Sequence, residues 1–164
     1  MHTSEQLLIM EEYNNSMDND VKDFIEDVIN GNDRMNFITV AFLSDKAAKR
    51  IKELTGKDVE GSRVVLDINA IKHIINRHGK EGKQDTSMKN IEDIARMGYV
   101  ISNYDDIVYE GITTTGYLDE NGEASPMIKI SKRIDGTYYV IETVNSSKRK
   151  KNYIVTAYIN KAEK

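Results

Sequence analysis

The dipeptide Asp135-Gly136 sits between two runs of strand-forming residues, Met127 to Ile134 and Thr137 to Val144. Asp-Gly flanked by alternating apolar residues is a strong hairpin signal, because both residues tolerate the positive φ of a tight turn. The chain must therefore carry an antiparallel pair here. If the turn has two residues, Ile134 faces Thr137 and the register follows by counting back. Ile130 then opposes Ile141, and Ile128 opposes Thr143, on one face. Lys129 opposes Glu142, and Arg133 opposes Tyr138, on the other. A one-residue slip would mix the two faces, so the pattern specifies the pairing. A basic turn follows, Ser146 to Lys151. The last strand, Tyr153 to Ile159, places Tyr153, Val155, Ala157 and Ile159 on one side and Ile154, Thr156 and Tyr158 on the other.

Helical patterns precede this meander. Ser4 can cap a short helix through Leu7, Leu8 and Met10. Asp18 or Asp20 can cap a second, with Val21, Phe24, Ile25, Val28 and Ile29 as its apolar stripe and Gly31 as its stop. Residues 35–43 read as a strand. Ser44 then caps a helix with Ala47, Ala48, Ile51 and Leu54 inward and Gly56 at its end. Arg63 to Leu66 is a brief extended piece. Beyond a polar loop at Lys80 to Thr86, Ser87 or Asn90 caps a short helix holding Ile91, Ile94 and Met97, stopped by Gly98. Val100, Ile101 and Ile107 to Tyr109 read as extended. Helices first and a strand meander last make an α+β chain: N-terminal helices packed on a C-terminal antiparallel sheet of four to five strands.

Charge divides the chain. Residues 1–33 carry nine acids and one base, a net −8, while the remainder carries +4, which together give the whole-chain −4. We read 1–33 as an acidic helical segment and 34–164 as the main domain. A mildly basic body suits a nucleic-acid partner, and the acidic head could shield that body or simply be a solvated helix. There are no cysteines, so disulfides and thiolate metal sites are excluded. Three histidines without an HExxH pattern argue against a dedicated metal or other cofactor. No run of 18 apolar residues spans a membrane, and no secretory signal is visible.

Chemistry concentrates in Asp67 to Gly79. Asp67 is a good N-cap, Gly79 a natural stop, and Ile68, Ile71, Ile74, Ile75 and His78 fall on one helical face. His73 and Arg77 share another face. Histidine changes charge near neutral pH, and arginine clamps phosphate. Together they suggest acid–base work on a phosphodiester. A histidine on an apolar face is more often a satisfied core residue, and one in the last turn also suits the helix dipole. His73 and His78 are five positions apart, which sets them about 140° apart around the helix. One can serve as base and the other as acid, or the separation leaves only one of them catalytic.

The ordered set of a strand, "SDKAAKRIKELTGKDVEG", "IKHIINRHG", "IEDIARM", "KISKRIDGTYYVIETV" and "YIVTAYINK" resembles a known family. It is similar to the phage-associated nuclease domains of the barnase–EndoU–colicin–RelE-like (BECR) group, of the type found as C-terminal toxins on phage head-morphogenesis (MuF) proteins. The resemblance covers Met35 to Lys161. It implies metal-independent RNA cleavage through attack of the 2′-hydroxyl, leaving a 2′,3′-cyclic phosphate, with tRNA or another structured RNA as target. By matching motif it implies His73, Arg77, His78, Thr156 and Tyr158 as site residues, with Glu142 and Lys129 as weaker carry-overs. Lys129, Lys132, Lys148, Arg149 and Lys150 are the candidate RNA contacts. Tyr138, Tyr139 and Tyr153 could stack bases or sit in the sheet's core. A toxin further implies an immunity protein with acidic groups, and action on the cytoplasmic RNA of a bacterium. Two other readings stand beside it: a non-catalytic phage module of the same fold, and an ADP-ribosyltransferase-type toxin built on Glu142.

Overall fold

The computed structural model of the chain describes residues 2–32, 34–113, 122–145 and 150–162. Its strands are β1 (Phe37–Phe42), β2 (Arg63–Asp67), β3 (Asp106–Ile112), β4 (Pro126–Arg133), β5 (Thr137–Thr143) and β6 (Lys151–Asn160). They form one six-stranded sheet in the order β1-β2-β6-β5-β4-β3. Every pairing is antiparallel except β2 with β6, which is parallel over residues 63–65 and 151–153. The fold is α+β as expected, with a larger and mixed sheet. The extra strands are β1 and β2, which pair with each other and join the rest where β2 meets β6, too far along the chain for local pattern to reveal.

The helices are α1 (Ser4–Asn14), α2 (Asn19–Ile29), α3 (Asp45–Thr55), α4 (Ile68–His78), α5 (Ile91–Ile94) and α6 (Met97–Ser102). Side-chain oxygens of Thr3, Asp18, Ser44 and Asp67 each accept a backbone N–H at the start of α1 to α4. The α2 stripe is buried in the common core, with Phe24 and Ile25 at 2% and 0% exposure. The acidic segment is therefore packed into the body through its apolar face. Gly98 does not stop a helix. It lies inside α6, where an added Cβ would come within 2.5 Å of the Val40 carbonyl oxygen. Val100 and Ile101, expected as extended, are buried with Met97 in that same helix.

The hairpin differs from a two-residue turn. Arg133 faces Thr137, leaving Ile134, Asp135 and Gly136 outside the ladder. Gly136 takes φ +98°, and the Ile134 N–H donates to the Gly136 carbonyl at 3.0 Å. The register is one residue away from that expected: Ile130 opposes Val140, Ile128 opposes Glu142, and Lys129 opposes Ile141. A second shift occurs in β6. Ile141 pairs with Thr156 and Glu142 pairs with Ile154, so Val155 is bulged out of the ladder. Asn152 and Ile154 then share the helix-covered face with Ala157, and Thr156 and Tyr158 share the opposite one. Ile128, Ile130, Tyr138, Val140, Ile154 and Ala157 are the contribution of β4 to β6 to the core.

Candidate active site

The path of the chain after α4 shapes the site. The loop from Gly79 winds back under the helix's C-terminus. There the Lys83, Gln84, Asp85 and Met88 N–H groups donate to the carbonyls of Asn76, Arg77, Arg77 and His78. These are the helix-end carbonyls that lack partners within α4. The fold-back is close enough at Gly82 that a Cβ would collide with the carbonyl oxygen of Asp85. It delivers Asp85 to His78. The two meet at 2.9 Å, Nδ1 to Oδ2. The Ser87 N–H holds the other Asp85 oxygen at 3.0 Å, and Ser87 Oγ accepts from the Ile159 N–H at 3.0 Å. One loop thus ties α4 to the last strand.

His78 is 3% exposed and its ring stacks on Tyr158, centroids 5.2 Å apart and planes at 27°. Burial works to raise the Asp85 carboxyl, but hydrogen bonds from Ser87 and His78 outweigh it and its pKa is lowered. It stands as a carboxylate, able to hold the Nδ1 proton of His78 and present Nε2 as the reactive nitrogen. His73 is exposed. Desolvation, then the positive charge of Arg77 and then that of His78, lower its pKa, so it is neutral at pH 7 and can accept a proton.

Both histidines line one open cleft of about 880 Å³, with Asp85, Ser87, Lys89, Asp93, Thr156, Tyr158 and Lys161 among its walls. Despite their angular separation on the helix, both line the same cleft. Thr156 is 9% exposed. Its Oγ1 has no hydrogen-bond partner among the described residues. Asp93 is tied from three sides: Tyr13 Oη donates to its Oδ1 at 2.6 Å, Arg96 to the same oxygen at 3.1 Å, and Tyr138 Oη to its carbonyl at 2.6 Å.

Other candidates fall elsewhere. Arg77 is exposed and does not line the cleft; its carbonyl serves the loop instead. Glu142 is turned by the register to the helix side of the sheet, 0% exposed. Burial pushes its pKa up to about 8. Asn152 lies near enough to offset part of that rise without completing a hydrogen bond of good geometry. Lys132 meets Asp105 at 3.1 Å, away from the cleft. Lys150 is exposed beside the start of β2, its carbonyl accepting from the Arg63 N–H. Lys148 and Arg149 lie outside the described residues. Lys129 is on the face of Thr156 and Tyr158, 3.7 Å from Glu110. Sequence reasoning missed Asp85, Lys89 and Lys161. Only the position of Asp85 in the polar loop after the histidine helix hinted at it.

Among the described residues, no group of three or more His, Asp or Glu side chains could hold a metal ion. The buried, carboxylate-held histidine beside a second, neutral one is an arrangement for proton transfer.

A family model described as phage-Barnase-EndoU-ColicinE5/D-RelE like nuclease3 matches residues 41–164. The chain belongs to this nuclease family. All the cleft residues named above lie inside the matched span of this PBECR3 nuclease, whereas α1, α2 and most of β1 precede it. No curated protein and no solved structure matches the chain. No described helix is long and apolar enough to cross a membrane.

Proposed function

We propose that this nuclease is a metal-independent endoribonuclease. His73, neutral at pH 7, takes the proton of a ribose 2′-hydroxyl. The 2′-oxygen bonds to the adjacent phosphorus, the bond from phosphorus to the 5′-oxygen breaks, and His78 delivers a proton to that leaving oxygen. The products are a 2′,3′-cyclic phosphate and a 5′-hydroxyl. Thr156 Oγ1 donates to a non-bridging oxygen as charge builds on it. Lys89 and Lys161 neutralise the flanking phosphates, so binding weakens with salt. Asp85 positions His78.

The observation that carries this reading is the convergence of His73, His78, Thr156 and Tyr158 on one cleft. The family adds that the chemistry is a nuclease's. As a toxin, with tRNA among its targets and an immunity protein as partner, it would arrest bacteria that lack the partner; unimpaired growth on expression alone would refute that part.

The decisive experiment incubates the purified protein with total bacterial RNA in EDTA. We expect discrete fragments ending in cyclic phosphate, lost in His73→Ala, His78→Ala and Thr156→Ala. Intact RNA with folded wild-type protein would refute the proposal and favour a binding module.

A further inference from the structure

Lys129, Lys132 and Arg96 each meet a carboxylate. Arg63 and Lys151 do not. They are half-buried and direct register partners on the parallel strands β2 and β6. Among the described residues neither has an ion pair, although the chain's 27 acids outnumber its 23 bases. Like charges set opposite each other on neighbouring strands repel. Here both heads rest on one ring: Lys151 Nζ lies 4.3 Å and Arg63 Cζ 5.5 Å from the centre of Phe37. Arg63 Nη1 also donates to Thr39 Oγ1 at 3.3 Å. These contacts fix the two heads and leave most of their N–H donors unspent. A ring face attracts a cation but does not neutralise it. Two positive groups held side by side, with no acid from the described chain, are set for an anion from outside.

We propose that Arg63 and Lys151 form a second anion site, which holds the phosphate backbone of the RNA a few nucleotides from the scissile bond. This deepens the endoribonuclease reading and rests on it. The pair shares a sheet face with the cleft. Val64 and Leu66 belong to the core under the helices, so Arg63 lies on the opposite face with its partner Lys151. Thr156 and Tyr158 occupy that same face farther along β6, beyond the bulge at Val155. Thr156 is five positions past Lys151, one of them taken up by the bulge. The remaining strand is about 13 Å long, a length that a few nucleotides of extended RNA would span. Lys150, exposed and next in sequence, adds charge at the same end of β6. A strand of RNA seated in the cleft and running along this face would meet the pair with its phosphates.

The probe is a fluorescent single-stranded octanucleotide of mixed sequence carrying 2′-O-methyl groups, which block cleavage. Its binding is followed by anisotropy over a range of salt concentrations. We expect the double variant Arg63→Gln/Lys151→Gln to bind more weakly, with the slope of log K against log salt shallower by about 1. Arg63→Lys/Lys151→Arg keeps both charges and should hold the wild-type slope. Lys46→Gln/Lys49→Gln removes the same charge from α3, which packs on the other face of the sheet, and should hold it too. An unchanged slope in the first variant overturns the proposal. So does an equal change in the α3 variant, which would show a net-charge effect alone, or in the charge-keeping variant, which would show a disturbed sheet. Incubation of wild type with total RNA in EDTA, run alongside, separates the two readings. If the RNA is cut while the first variant keeps its slope, this site alone fails. If the RNA stays intact, the endoribonuclease reading fails and takes this one with it.

Discussion

His78 Nδ1 lies 2.9 Å from Asp85 Oδ2, across a loop that folds back beneath the helix carrying the histidine. The six residues between them contain the fold-back at Gly82. The pair is thus made by backbone hydrogen bonds to the end of α4, and the orientation of His78 depends on that loop. An amide at position 85 would keep the shape and reverse the hydrogen-bond demand. Asp85→Asn is expected to lower kcat by roughly 10²–10⁴-fold, because the amide can hold the imidazole in the wrong tautomer. Steady-state cleavage of an RNA oligonucleotide, with circular dichroism to verify folding, checks this. Wild-type kcat in the variant would remove Asp85 from the mechanism.

The lowered pKa of His73 predicts where activity rises with pH. With its neutral form as the proposed base, kcat/KM climbs as the proton leaves. That limb should fall below the ordinary imidazole value of 6.5. The measurement is a pH–rate profile at constant ionic strength. In Arg77→Gln the second of the three effects that depress His73 is gone, and the limb should move upward. A limb at or above 6.5 in wild type contradicts the assignment.

Glu142 should make stability fall as pH rises. Its folded pKa is pushed up to about 8 from an ordinary 4.5, with both carboxyl oxygens buried and unpartnered among the described residues. The unfolded chain gives up this proton above 4.5, while the folded one keeps it. The stability this group contributes is complete below 4.5, declines between 4.5 and 8, and is gone above. Glu142→Gln removes the titration. Its melting temperature should exceed wild type's by more at pH 8.5 than at pH 5.5, the single shift being worth up to several kcal/mol. Parallel melting curves across this range would show that Glu142 titrates normally.

Gly98→Ala should destabilise the protein although alanine favours helix by about 1 kcal/mol. The added methyl would meet the Val40 carbonyl at 2.5 Å, forcing α6 away from β1. Urea denaturation reads the balance; a stabilised variant would show that the contact yields easily.

Much of the fold was legible where its cause is local. Asp67, Ser44 and Asp18 announce helix starts because a short acceptor side chain satisfies the first free N–H groups, and each does so. The hairpin's location follows from Asp135-Gly136. Its register does not, since whether Ile134 joins the strand or the turn is settled by packing of Tyr138 and Val140 under the helices. The parallel pairing of β2 with β6 joins residues some ninety positions apart and leaves no local trace. The site divides in the same way. His73, His78, Thr156 and Tyr158 converge in the cleft, while Arg77 and Glu142 do not line it. Helix periodicity fixes where a side chain leaves its own axis, but not what the neighbouring loop places beside it. Asp85 stayed hidden for that reason.

The bulge at Val155 sets a parity. Before it, even-numbered residues of β6 face the helices; after it, odd-numbered ones do. One strand therefore supplies Asn152 and Ile154 to the interior and, two positions later, Thr156 to the cleft. Without the bulge, the same sequence would bring Thr156 and Tyr158 into phase with Ile154 and exchange their hydroxyls for core side chains along half the strand. The extra residue at Val155 is what lets one strand serve both the core and the cleft.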